Sequence, residues 1–372
     1  MTAIASALPP LSIGQWTLPV PIIQGGMGVR VSAHRLASAV ACEGGLGIIA
    51  SVALSLASRH YKKAADYLKA NKLALADELA WARERSPFGV IGVNCMVAVR
   101  DYEALVRTAV EHGAQVIISG AGLPLRLPEY ARARPSTALV PIVSSVRAAK
   151  LLARRWWHSC KRIPEAIVFE EPSTAGGHLG ARREDLDRPE YRAENVLPEL
   201  VEWSRENYGG EIPIILAGGV WDRADIDRAL KLGAKGVQMA SRFICTHECD
   251  ADIRFKEAFL DAEPGSAFIV DSPAGLPGRA LKTSFTDKLD AGEEMETTCT
   301  VSCLKKCRCR DEKETFCIAK ALHQAQRGNL KDGLVFTDSK APRHKKIVHV
   351  REIFDELCGH QRARQLEVDV PA

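Results

Sequence analysis

Between Ile22 and Met239 the chain alternates short runs that are almost wholly apolar with longer stretches in which apolar residues recur every three to four positions. Runs of the first kind mark parallel strands covered on both faces, and stretches of the second kind mark amphipathic helices. Eight candidate strands follow, at 21–24, 47–50, 90–94, 116–119, 139–143, 166–170, 213–216 and 236–239. Several helices between them have readable ends. Ser32 is placed to cap a stretch with Leu36, Ala39 and Val40 on one face, stopped by Gly44 and Gly45. Asp101 and Gly113 bracket another, and Asp222 precedes Ile226, Ala229 and Leu230 before Gly233. Repeated βα units of this kind predict an α/β fold, a (β/α)8 TIM barrel, over residues 1–243.

After Phe243 the barrel periodicity stops. Residues 244–348 are expected to form an excursion packed on the barrel, rich in Gly and Pro around Ser272 to Gly278 and in Cys from Cys299 to Cys317. A helix is expected over 316–327, and within 349–372 a closing helix over 350–358, followed by a tail. A chain of 372 residues suits one barrel of about 250 residues with such an appendage.

The balance of 46% hydrophobic and 26% charged residues is that of a globular chain with a large core. Lys and Arg number 50 against 46 Asp and Glu, a net +4 with the signs interspersed, which gives no footprint for nucleic acid or an anionic membrane. Pro9, Pro10, Gln15 and Pro19 interrupt any apolar leader, and no run is long enough to span a bilayer, so a cytoplasmic protein is expected. The expected partner is a small-molecule substrate; a homo-oligomer is left open.

Functional groups of such a barrel sit at the carboxyl ends of the strands. Here those ends read Gln24-Gly25-Gly26-Met27-Gly28, Asn94-Cys95-Met96, Ser119-Gly120-Ala121-Gly122, Glu170-Glu171, Ala217-Gly218-Gly219 and Ala240-Ser241-Arg242. The loops after strands seven and eight are the usual phosphate site, because glycine lets the backbone approach and helix-start N–H groups point at an anion. Gly218, Gly219, Ala240 and Ser241 are therefore the candidate phosphate residues. In the loop after strand six, Gly176-Gly177-His178 offers an imidazole able to accept and return a proton near neutral pH, so His178 is the candidate catalytic residue. Glu170 and Glu171 are read either as solvated carboxylates or, for Glu170, as a partner of His178 or of the substrate.

Eleven cysteines in a large chain without a leader point to buried thiols, metal ligation or redox chemistry. Cys299, Cys303 and Cys307 recur every four residues, which on a helix places three thiols on one face and turns Cys309 away. With Cys317 they make a candidate four-thiolate site for an iron–sulfur cluster or Zn2+. Cys42, Cys95, Cys160 and Cys358 read as small buried residues.

The runs PIIQGGMG, GVN, AGGHLG, LAGGV and GVQMASRF, in that order, resemble the nitronate monooxygenase (2-nitropropane dioxygenase) family over nearly the whole chain. The resemblance implies FMN at the carboxyl face, with Gln24, Gly25, Gly26 and Met27 against the flavin, Asn94 near its ring, Gly177 beside it, and His178 as the family's histidine. It departs at Ala240-Ser241, where many relatives read Gly-Thr. Cysteine-bearing members of the family carry a similar CxxxCLxxC segment, and this tips the four thiols toward a [4Fe-4S] cluster. The implied reaction is oxidation of alkyl nitronates with O2. The related flavin-type enoyl-acyl carrier protein reductases share the GGH loop, so the alternative is NAD(P)H-dependent reduction of a quinone or enoyl thioester. NAD(P)H would bind transiently, since no dinucleotide fingerprint follows a strand. A flavin-free, metal-stabilised scaffold is the third alternative.

Overall fold

The computed structural model describes residues 8–208, 212–340 and 343–359. Eight parallel strands close into a barrel: β1 (Ile22–Gln24), β2 (Leu46–Ala50), β3 (Val90–Met96), β4 (Val116–Gly120), β5 (Ala138–Val143), β6 (Ile167–Glu170), β7 (Ile214–Ala217) and β8 (Gly236–Met239). β8 pairs with β1, with Val237 level with Ile22, and this closes the ring.

Both faces of each strand are apolar for a simple reason. One set of alternate residues, including Ile23, Ile48, Val116, Ile118, Val140, Val168 and Ile215, fills the barrel interior. The other set, including Ile49, Ile91, Ile117, Leu139, Ile167, Phe169 and Leu216, packs under the surrounding helices. A hairpin of Leu11–Ile13 and Trp16–Leu18 adds Leu11, Ile13 and Leu18 to the interior set, and its apolar side chains plug the amino end of the barrel. The opposite, carboxyl end is left for chemistry.

The helix Val350–Cys358 packs against both His34–Cys42 and Arg223–Lys231, so it takes the eighth place in the helical ring. The tail of the 349–372 segment beyond residue 359 lies outside the described residues. Between β8 and this helix the chain makes a lid. Strands Ala267–Asp271 and Pro277–Leu281 form an antiparallel pair, and Pro277–Leu281 also pairs with Gly177–His178 from the loop after β6. The helix Ile318–Gln326 lies within the expected 316–327. Among the described residues no helix is long and apolar enough to cross a membrane.

One expected cap is replaced. The helix after β1 begins at His34, and Ser32 gives it no cap; its hydroxyl instead accepts from Met27 N–H at 2.9 Å. The orphan N–H groups of Ala33 and Leu36 go to the Asp250 carboxylate, at 2.9 and 3.2 Å, from the loop after β8. A carboxylate at a helix start is favoured by the helix dipole as well as by the hydrogen bonds. Asp222 caps its helix as expected, accepting from Asp225 N–H at 3.0 Å.

Candidate active site

One cavity occupies the carboxyl end of the barrel. Its barrel wall includes Gly25, Gly26, Met27, Asn94, Glu170, Gly218, Gly219, Ala240 and Ser241, with Gly177 and His178 from the loop after β6. The lid closes it with Leu304, Ile318, Leu322, Leu334, Phe336 and Asp338, so the appended segment completes the site. Of the eleven flavin and catalytic candidates, the ten other than Gln24 all line this single cavity.

Gln24 is the exception. It is fully buried, it does not line the cavity, and its side chain is spent inside the barrel wall. Its Oε1 accepts from Ile48 N–H at 3.1 Å, and its Nε2 donates to the Gly25 carbonyl, tying β1 to β2. The amide therefore satisfies backbone groups where the ladder between these strands is short, one register pair long.

The loops after β7 and β8 have the properties an anion needs. Gly218 and Gly219 both hold positive φ, 92° and 66°, and a Cβ on Gly219 would meet the Thr174 Cβ at 2.8 Å. Among the described residues, the backbone N–H groups of Gly218, Gly219, Ala240 and Ser241 donate to no carbonyl. Ala240 leads into a single turn, Ser241–Phe243, whose first N–H groups are open by construction. Gln238 adds a buried side-chain oxygen, Oε1, with no partner on the same cavity. These open polar groups fit a phosphorylated, hydrogen-bonding ligand such as FMN. The Ser241 hydroxyl is a complication, because it serves Asp338, whose carboxyl is pushed up by burial.

His178 is fixed by the lid rather than by its own loop. Its Nε2 lies 2.7 Å from the Ser272 hydroxyl, and its ring meets Phe336 edge-on at 5.1 Å. Ser272 Oγ also accepts from Ala274 N–H at 3.2 Å, and its second lone pair or its own hydrogen meets Nε2 according to the tautomer of the ring. Burial lowers the His178 pKa to about 4, so the ring is neutral at working pH and not poised at neutrality as the sequence suggests. Ser272 and Phe336 could not be found by motif. The only hint was the Gly/Pro-rich stretch that begins at Ser272.

The two carboxylates after β6 separate. Glu171 is buried and paired, accepting from Ser173 Oγ at 2.7 Å, Arg192 at 3.4 Å and Ala193 N–H at 3.3 Å. Glu170 lines the cavity and makes no hydrogen bond or ion pair among the described residues; burial alone raises its pKa to about 7. It is not a solvated surface carboxylate.

The cysteine segment departs from expectation. Residues 299–307 are irregular rather than helical, so the one-face argument fails. Thr300 and Val301 disfavour a helix there only slightly, through the rotamer freedom that β-branched side chains lose in one. Cys303, Cys307, Cys309 and Cys317 are buried, and Cys299 is half-buried. Cys309 does not point away: it is buried near enough to Cys299, Cys307 and Cys317 for each to disfavour its thiolate, as they do that of Cys303. Among the described residues, however, no three of these side chains converge to hold a metal ion, and the arrangement does not fit a [4Fe-4S] cluster as it stands. Cys42 is exposed and Cys160 half-buried, unlike the buried residues expected.

Burial pushes the thiols of Cys303 and Cys309 up to about 12, and those of Cys95, Cys245 and Cys249 likewise. A protonated, buried thiol is a poor nucleophile. Titration of the native protein with a disulfide reagent should therefore give fast reaction at Cys42, Cys160 and Cys299 and release of the remaining thiols only in denaturant. Rapid reaction of all eleven cysteines in the native state would contradict this burial.

A closed parallel barrel with its cavity at the carboxyl face has the arrangement of the TIM-barrel enzymes, which carry their active sites at that end. The chain belongs to the nitronate monooxygenase family, whose model matches residues 11–360. It is 28% identical over 273 residues to a "(3aS,4S,5R,7aS)-5-hydroxy-7a-methyl-1-oxo-octahydro-1H-indene-4-carboxyl-CoA dehydrogenase" of Mycobacterium tuberculosis, covering 73% of this chain and 66% of that protein. It is 26% identical over 303 residues to a probable nitronate monooxygenase of Bacillus subtilis, covering 76% of this chain and 81% of that one. Among solved structures, FabK from Thermotoga maritima superimposes with a TM-score of 0.69 at 22% identity, covering 95% of this chain and 96% of that one. A nitroalkane oxidase from Streptomyces ansochromogenes gives 0.67 at 18% identity, covering 95% and 98%. The last two likenesses concern the fold.

Proposed function

We propose that the protein is an FMN-dependent oxidoreductase that oxidises alkyl nitronates with O2. The observation that carries this reading is the union, in one cavity, of the open N–H groups of Gly218, Gly219, Ala240 and Ser241 with the lid-held His178. The four N–H groups would hold the phosphate, and Gly25, Gly26, Met27, Asn94 and Gly177 would line the flavin. When bound, the flavin supplies the electron acceptor that the side chains lack. Gly26 leaves no room for a side chain there, because a Cβ would meet the Asn94 Cβ at 2.3 Å. The lid would limit access of water to the reacting carbon, and His178 would present a neutral imidazole to it.

A second reading is favoured by the first relative and by the cavity's lid wall. Leu304, Ile318, Leu322, Leu334 and Phe336 offer more apolar surface than a short nitroalkane fills, which suits a bulky acyl thioester. In that case the protein would oxidise or reduce such a thioester, with NAD(P)H as a transient partner.

The test is a visible spectrum of the natively purified protein with mass identification of the released flavin. Anaerobic mixing with ethylnitronate, NADH and NADPH in turn follows. Bleaching by ethylnitronate is expected. Bleaching by a nicotinamide alone selects the second reading, and a colourless protein that takes up no added FMN removes both.

A further inference from the structure

We infer that Asp338 is part of the phosphate site: a phosphate dianion in the cradle of Gly218, Gly219, Ala240 and Ser241 forces this carboxyl to take up a proton, so FMN binds more tightly as pH falls. The inference rests on the FMN reading above. Asp338 comes from the lid and reaches the cavity wall beside Ser241. Its Oδ1 accepts from the Lys340 N–H at 2.7 Å, and the carboxyl also takes the Ser241 hydroxyl. The backbone there is pressed on the loop after β6. A Cβ on Gly176 would lie 3.0 Å from the Asp338 N, and the Ser339 N–H donates to the Thr174 carbonyl at 3.3 Å. Thr174 is also the residue that a Cβ on Gly219 would strike. The carboxyl therefore touches the Ser241 half of the cradle directly, and its backbone meets the Gly219 half through Thr174.

The surroundings leave that carboxylate without a dedicated cation. Among the described residues Asp338 makes no ion pair, and the cations near enough to favour its charge are Arg279 and Lys340. Arg279 gives its guanidinium to the carbonyls of Ala175 and Ser173, and Asp225 holds the Lys340 ammonium at 2.8 and 2.9 Å. Arg242, next to Ser241, is paired with Glu356. His344 donates to the Ser241 carbonyl at 2.8 Å, and burial keeps its ring neutral. The other titratable groups of the cavity wall are His178, Glu170 and Cys303, and none of them brings a positive charge at working pH. Burial already pushes the Asp338 carboxyl up. A phosphate dianion beside it acts in the same direction and more strongly, because like charges at close range in a partly buried site repel far more than in water.

In the free protein with Asp338 ionised, the Ser241 hydroxyl donates to the carboxylate. With phosphate present, the protonated carboxyl donates to Ser241 Oγ, and the hydroxyl turns its own hydrogen to the phosphate. One proton enters from solvent, and no bond of the cofactor is made or broken. The carboxyl thus has a higher pKa in the complex than in the free protein. Its contribution to binding is complete below the free-protein value and is lost as pH rises through the value in the complex.

The experiment titrates the flavin-free protein with FMN and with riboflavin, reading flavin fluorescence from about pH 6.5 to about pH 8.5. A phosphomonoester with a second pKa near 6 is mostly a dianion there, and its residual titration acts in the opposite sense, since the dianion is the better ligand for N–H groups. The FMN dissociation constant should rise at least about tenfold across that range, and calorimetry in two buffers of different ionisation enthalpy should show about one proton taken up per FMN. Riboflavin has no phosphate, so its constant should not follow this rise. Asp338→Asn keeps the shape and cannot ionise. It should bind FMN with a constant that does not rise with pH and, at the alkaline end, at least about tenfold more tightly than the wild type, a gain that damage to the fold would not give. A wild-type FMN constant that does not rise with pH overturns the inference and leaves the FMN reading standing. So does a rise that riboflavin shares or that persists in Asp338→Asn. The comparison of the two flavins needs no variant, so it decides even where Asp338→Asn does not fold. Failure of FMN to bind at any pH overturns the FMN reading itself, and the inference with it.

Discussion

Replacing Gly219 by Asp is expected to weaken FMN binding by about 10³-fold relative to Gly219→Asn. Both substitutions place a side chain at a φ of 66°, a region that Asn and Asp enter at less cost than other residues. Both would also push the same Cβ toward Thr174, so the strain is common to the pair. What differs is one negative charge at the proposed phosphate position. Two like charges about 4 Å apart repel by about 4 kcal/mol at the effective dielectric of a partly buried site, and each 1.4 kcal/mol is tenfold. The measurement is the FMN dissociation constant by quenching of flavin fluorescence, with the flavin-to-protein ratio as isolated. Equal affinities for the Asp and Asn variants would move the phosphate elsewhere on the cavity.

That prediction was within reach of the sequence because its ingredients are local. A glycine pair directly after an apolar strand is a short-range signal, and the barrel converts it into a position in space. The same holds for the eight strands, which were legible because each must be apolar on both faces, whether it looks into the barrel or out to the helices. The distance between strand end and cavity is fixed by the fold, so reading a strand end was close to reading a wall of the site.

The rest of the site was not legible, and the reason is sequence separation. Ser272 lies 94 residues from the histidine it holds. Phe336 and Asp338 come from still farther along, carried back when residues 335–337 align beside Pro277–Leu281. Nothing in the local pattern of the lid states that it will pair with Gly177–His178. Gln24 failed for the opposite reason: the motif put it at a strand end, but the short β1–β2 ladder left backbone groups that its amide satisfies. The cysteines failed because a spacing of four is a geometric statement only on a helix. Their segment is irregular over residues 299–307. Spacing also turned Cys309 away, whereas its side chain is buried beside the others.

His178→Ala is expected to slow flavin reduction by about 10²- to 10⁴-fold while leaving FMN bound, the range for losing a group that assists proton transfer or the anion it creates. The ring does not support the backbone, which pairs through Gly177 and His178 with Arg279 and Gly278 whatever the side chain. Fold and cofactor should therefore survive. Ser272→Ala separates the two ways the ring could matter. It removes the partner of Nε2 and leaves the edge-on contact with Phe336, so orientation is only loosened. A neutral hydrogen bond is worth about 1 kcal/mol, and a loss of roughly fivefold should follow from that alone. If instead the Ser272 hydroxyl fixes the tautomer of the ring, its removal lets the ring present the wrong nitrogen, and the loss should approach that of His178→Ala. Rapid-reaction measurement of flavin reduction in the three proteins, at one pH below and one above 7, reads this directly. A reduction rate constant unchanged in His178→Ala at both pH values would leave the imidazole as a packing residue between the lid strand and Phe336.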